Sequence, residues 1–117
     1  MEGIILVNKP KGISSFDVIR KLKKILKTKK IGHTGTLDPL ATGLMLICVG
    51  KATKLASDLE AKNKVYLANF EIGYATDTYD IEGKRIAENL IDISKDNLEL
   101  SLKKFIGGIK QVPPMYS

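Results

Sequence analysis

Residues 31–49 read IGHTGTLDPLATGLMLICV, an irregular half followed by an apolar half. Residues 31–43 hold three glycines and one proline with no sustained period, which predicts a loop of fixed backbone geometry. Residues 44–49 are continuously apolar, the pattern of a strand covered on both faces. Cys48 inside that run reads as a core residue, and as the sole cysteine it has no partner for an internal disulfide. Asp38 precedes Pro39, whose ring biases the aspartate toward an extended conformation. A carboxylate presented this way can serve as nucleophile or general base, although Asp before Pro is also a common turn former. His33, the only histidine, sits on the same stretch, and one histidine cannot furnish a His-pair zinc motif.

Working outward, residues 3–7 form a short aliphatic run closed by Asn8-Lys9-Pro10-Lys11-Gly12, a strand followed by a turn. Ser14 or Ser15 can cap the next element, with Asp17 in its first turn. Val18, Ile19, Leu22, Ile25 and Leu26 then recur at the spacing of one helix face. Beyond the apolar strand, residues 51–62 predict a short helix with Ala52, Leu55, Ala56 and Leu59 inward. Residues 65–72 alternate like a half-buried strand, with Tyr66, Ala68, Phe70 and Ile72 on one face. Asp80 to Gly83 predicts a hairpin turn leading to a strand over 84–88. The three carboxylates of Asp77, Asp80 and Glu82 lack the spacing of a calcium loop and read as turn and strand end. Ser94 can cap a last helix with Leu98, Leu102, Phe105 and Ile106 inward, stopped by Gly107-Gly108. The segment from Gln111 to Ser117, with its prolines, Met115 and Tyr116, looks as if it requires neighbours.

The 117 residues carry a net charge of +6 and are 44% hydrophobic, with a mean hydropathy of −0.03 and a pI near 9.4. This composition fits a globular domain and excludes disordered, collagenous and acidic-tail classes. The longest apolar run is far short of a membrane span, and the N-terminus lacks the basic region and cleavage site of a signal peptide. A soluble, cytoplasmic protein is the expectation. Residues 1–64 hold 13 basic and 5 acidic side chains, a net +8, whereas residues 65–117 hold 6 and 8, a net −2. Seven of the eleven residues in 20–30 are basic, a pattern that suits a solvated helix face or contact with a polyanion. There is no P-loop and no G-x-G-x-x-G. From the residues alone, the reading stops at a basic domain with an unusual glycine-rich acidic loop.

Six motifs carry more. Lys9-Pro10-x-Gly12-x-Ser14-Ser15, the run from Gly32 to Gly43, Gly50-Lys51-Ala52-Thr53-Lys54, Lys64-x-Tyr66, Gly73-x-x-Thr76-Asp77-Thr78-x-Asp80-x-x-Gly83 and Gln111-x-Pro113-Pro114-x-Tyr116-Ser117 together resemble the TruB family of bacterial tRNA pseudouridine synthases. The resemblance spans essentially the whole chain. It implies an α+β fold with a mixed, mostly antiparallel sheet and packed helices. It also implies isomerisation of uridine 55 in the tRNA T arm without cofactor or metal. Asp38 then matches the catalytic aspartate that starts glycosidic bond cleavage, either by attacking the ribose or by removing its 2′ proton. Tyr66 matches the tyrosine that stacks on the flipped base and helps take the C5 proton. His33 matches a histidine that enters the T loop beside flipped nucleotides. Lys9 and Pro10 match a motif under the active site that reads as structural rather than chemical, while Lys9, Arg20 and Lys64 are also carried as RNA-binding candidates. Thr76 to Asp80 match a segment bordering the cleft.

In that family the chain continues beyond Tyr116-Ser117, supplying the rest of the catalytic sheet, an arginine that pairs with the aspartate, and a C-terminal RNA-binding domain. Residues 1–117 are therefore expected to be the N-terminal portion of the catalytic domain, inactive alone and able to self-associate. A guide-RNA-dependent relative and a non-catalytic tRNA-binding or folding module are the other readings. Intact Asp38 and Tyr66 argue against the module.

Overall fold

The computed structural model describes residues 1–113, and the chain divides into two compact units after Val65. In the first unit, β1 (Gly3–Lys9), β2 (Ile31–His33) and β3 (Gly43–Val49) form a three-stranded sheet in the order β1-β3-β2, with both ladders antiparallel. The apolar run is thus the central strand, but the expected cover on both faces is only partial: on the second face Cys48 is buried, while Leu44 and the β1 residues Ile4 and Leu6 are exposed. Cross-strand partners share a face, so Ile5 and Val7 on β1 lie with Ile47 and Met45 on β3. On this face the buried Val18 and Ile19 of α1 (Ser15–Leu26) complete the core with Met45, Ile47 and Val49. Each such side chain contributes about 1.5–3 kcal/mol by leaving water.

Helix α1 begins as its sequence dictates. Ser14 is the N-cap and accepts from the Asp17 backbone N–H at 3.0 Å, while the Asp17 carboxylate accepts from the Ser14 N–H at 3.0 Å. This reciprocal pair satisfies two otherwise orphaned donors. Lys27, in the left-handed region at φ 52°, ends the helix.

Several expectations are corrected. Residues 31–33 are not loop but the edge strand β2, because β3 offers them a free ladder; the irregular segment is 34–42. The helix expected over 51–62 is a 3₁₀ helix (Gly50–Leu55) followed by α2 (Ala56–Glu60). The Thr53 hydroxyl donates to the Gly50 carbonyl at 2.8 Å, favouring a tight first turn. Gly50 itself has φ +64°, and a Cβ there would lie 2.6 Å from the Met1 carbonyl oxygen. Leu55 is exposed rather than inward. Cys48 is buried, as expected of a core residue, but Leu44 at the other end of β3 is 65% exposed.

In the second unit, the strand expected over 65–72 does not form, and these residues are exposed. Alternation marks a strand only where a neighbouring edge completes its hydrogen bonds, and no described residue supplies one. The hairpin instead pairs β4 (Tyr74–Thr76) with β5 (Arg85–Glu88), antiparallel and with a register shift at Ala75/Thr76. Ser94 caps α3 (Lys95–Lys103), its hydroxyl oxygen accepting from the Asn97 N–H at 3.2 Å. Leu98, Leu102, Phe105 and Ile106, expected inward, remain exposed among the described residues. The Pro114 to Ser117 part of the last motif lies outside those residues.

Candidate active site

Asp38 stands at the centre of the 34–42 segment, its side chain exposed while the residues around it are tied down. Before it, buried Thr34 directs both its backbone N–H and its hydroxyl to the Leu46 carbonyl of β3, each at 3.2 Å. Leu37 is gripped by one side chain. The Ser15 hydroxyl, at the first residue of α1, donates to the Leu37 carbonyl at 3.0 Å and accepts from the Leu37 N–H at 2.8 Å. After it, the Pro39 carbonyl accepts from the Gly12 N–H at 2.7 Å and from the Lys9 ammonium at 3.3 Å. Gly12 reaches that position at φ +95°, a conformation that favours glycine. A short turn from Ala41 N–H to the Asp38 carbonyl at 2.9 Å closes the segment. The carboxylate is thereby presented to solvent on a backbone fixed from both sides, which is what a reacting group needs.

Lys9 is the largest correction. It has no exposed surface, and its ammonium donates to the carbonyls of Pro10 at 2.9 Å, Ile13 at 2.7 Å and Pro39 at 3.3 Å. All three ammonium hydrogens therefore have an acceptor, offsetting the cost of burying the charge. A side chain so enclosed cannot meet an RNA phosphate. Lys9 is a tether between the turn after β1 and the Asp38 segment.

The other candidates differ in reach. His33, half-buried on β2 and opposite Ile47, keeps its Nδ1 buried with no hydrogen-bond partner among the described residues. Lys64 lies on the Asp38 segment: a Cβ built at Gly35 would meet the Lys64 Cε at 3.6 Å. Its ammonium donates to the Glu60 and Lys62 carbonyls and stays exposed. Arg20 is exposed on α1, paired with Asp17 and 5.2 Å from the centre of the Phe16 ring. Tyr66 opens the second unit, 65% exposed. Sequence reasoning misses Ser15 and Thr34 as parts of the site, and the spacing of 22 residues between Ser15 and Leu37 leaves no local signal to find.

In the second unit the acidic cluster is occupied by its own turn. The Asp80 carboxylate accepts from the Thr78 hydroxyl and from the N–H groups of Glu82 and Gly83, at 2.8, 2.9 and 3.1 Å, and Asp77 accepts from the Lys84 N–H at 2.8 Å. On the adjoining ladder Arg85 stacks 3.9 Å from the centre of the Tyr74 ring. The Tyr74 hydroxyl donates to Glu71 at 3.0 Å, and that bond holds its phenol above the usual range.

Residues 23–117 match the model of the TruB family pseudouridylate synthase N-terminal domain. The chain is 85% identical over all 117 residues to a tRNA pseudouridine synthase B of Fusobacterium nucleatum, covering 41% of that protein. It is 52% identical to that of Clostridium novyi, covering 40%. Part of it, 48%, aligns with 18% of a chain in a solved structure of an H/ACA RNP bound to a substrate RNA containing 2′-deoxyuridine, at 41% identity and a TM-score of 0.46. The chain thus spans about two-fifths of the length of the curated relatives it matches.

Proposed function

The chain belongs to the TruB family of pseudouridylate synthases, and from that membership we propose that residues 1–117 are the N-terminal portion of a catalytic domain that converts uridine 55 of the tRNA T arm to pseudouridine. The observation that carries the reading is the exposed Asp38 carboxylate on a segment anchored at Leu37 and Pro39. In the reaction the bond between C1′ and N1 breaks, the freed uracil turns, and C1′ bonds to C5. The C5 proton leaves and N1, freed from C1′, gains one, so the change is an isomerisation and calls for no redox partner. Asp38 initiates cleavage, by attack on the ribose or by removal of its 2′ proton. Tyr66 offers a ring for the flipped base and a phenol for the C5 proton. His33 ends β2, next to the segment that carries Asp38, and offers a flat ring to unstacked nucleotides, while Arg20 and Lys64 offer charge to the backbone. Lys9 supports the site from beneath. The compartment we propose is the cytoplasm, where a tRNA substrate would be met; separately, among the described residues no helix is long and apolar enough to cross a membrane.

A carboxylate acting at a sugar requires a counter-charge and a closed pocket. We accordingly expect residues 1–117 alone to produce little or no pseudouridine. The test joins them to the part of the Fusobacterium nucleatum synthase that follows its matching 41%, and supplies a T-arm stem-loop. The chimera is expected to convert the uridine, and Asp38→Asn to abolish conversion while binding persists. Binding without conversion by the unaltered chimera would favour a non-catalytic RNA-binding module.

A further inference from the structure

We propose that Ser15 is a positioning residue for Asp38, the group that fixes the direction in which the carboxylate is presented. The inference rests on the reading of Asp38 as the reacting group. Ser15 is buried and heads α1, yet its hydroxyl caps nothing in that helix; Ser14 does that work. Instead it serves both polar groups of Leu37, as donor to the carbonyl and acceptor from the N–H. These two bonds fix the peptide plane on each side of the Leu37 Cα, and the carbonyl side is the peptide that enters Asp38. No other described hydrogen bond reaches either Leu37 group. The Pro39 tether acts on the far side of Asp38, where proline has already restricted φ. The Ser15 clamp therefore controls the flank that covalent geometry leaves free. Rotation of the Leu37–Asp38 peptide would swing the carboxylate by an ångström or more, a displacement that costs a reacting group roughly 100-fold in rate.

Two measurements test this. In the 117-residue chain, hydrogen exchange at the Leu37 amide should be slow, fast in Ser15→Ala, and slow again in Ser15→Thr, which keeps the hydroxyl. Fast exchange at Leu37 in the unaltered chain would overturn the proposal without any variant having to fold. In the chimera, Ser15→Ala should lower kcat roughly 10- to 100-fold with KM for the stem-loop little changed, and Ser15→Thr should restore most of it. Val49→Ala, a core cavity at the end of β3 where the strand pairs with Gly3 and Ile31, is the stability control and should retain kcat below its Tm. An unchanged kcat in Ser15→Ala, or equal losses in Ser15→Ala and Val49→Ala, would sink the positioning role alone. Full activity in Asp38→Asn would instead sink the underlying reading, and the Ser15 role with it.

Discussion

At the scale of single residues, Lys9 shows how a side chain's default misleads. A lysine in a basic chain whose charge pattern suits a polyanion belongs in solvent by its ordinary preference, and only the fold places three carbonyl oxygens around this one. Replacing it with methionine keeps the stem but strips those carbonyls of their donor, an expected loss of about 1–3 kcal/mol in urea denaturation. The same change should leave the salt dependence of RNA binding untouched, because no phosphate can reach the ammonium. Tyr74 offers a second residue-scale test. Its pKa is raised from 10.0, chiefly by the hydrogen bond to Glu71, with burial adding to it and Arg85 opposing. A group whose folded pKa lies above its unfolded value supports the fold below the unfolded pKa and loses that support as pH rises through the folded one. The absorbance titration difference between the protein and Tyr74→Phe should therefore fall above pH 10, and Glu71→Gln should move it down.

At the scale of elements, what can be read from sequence is whatever depends on neighbours in sequence. The start of α1 follows from Ser14 and Asp17 three residues apart, and Ser14→Ala should cost about 1 kcal/mol through loss of the cap. The central strand β3 follows from its apolar run, and the β4–β5 turn from Asp80 and Gly83. Residues 65–72 do not become a strand, although their alternation is regular, because hydrogen bonding in a sheet is a property of pairs. The same dependence on partners hides β2 inside what looks like a loop. Gly83 makes a sharper prediction for the hairpin. A Cβ there would overlap the Thr78 hydroxyl and approach the Asp77 carboxylate at 2.9 Å, the two groups that organise the turn. Gly83→Ala should cost about 1–3 kcal/mol by overpacking, seen as faster hydrogen exchange at the Lys84 amide with α1 unaffected.

At the scale of the molecule, the excess positive charge and the Asp38 segment fall in one unit. The +8 of residues 1–64 belongs to the unit that carries Asp38, His33 and Lys64, and the outward side of α1 supplies much of it through exposed Lys21, Lys24 and Lys27. This asymmetry is legible in composition, whereas the anchoring of Asp38 is not, since it depends on pairs of residues 22 and 30 apart in sequence. If RNA approaches this unit, its phosphates shed their condensed counterions here and not elsewhere. The logarithm of stem-loop affinity should then fall linearly with the logarithm of salt concentration. Replacing Lys24 and Lys27 by alanine in the chimera should reduce that slope by about 1 for each phosphate no longer neutralised. Replacing Lys103 and Lys104, which are exposed at the end of α3 in the net-negative part of the chain, removes the same charge and should leave the slope unchanged. Equal reductions from the two pairs would mean that RNA responds to the overall positive field and that the basic helix is a solvated face rather than a docking surface.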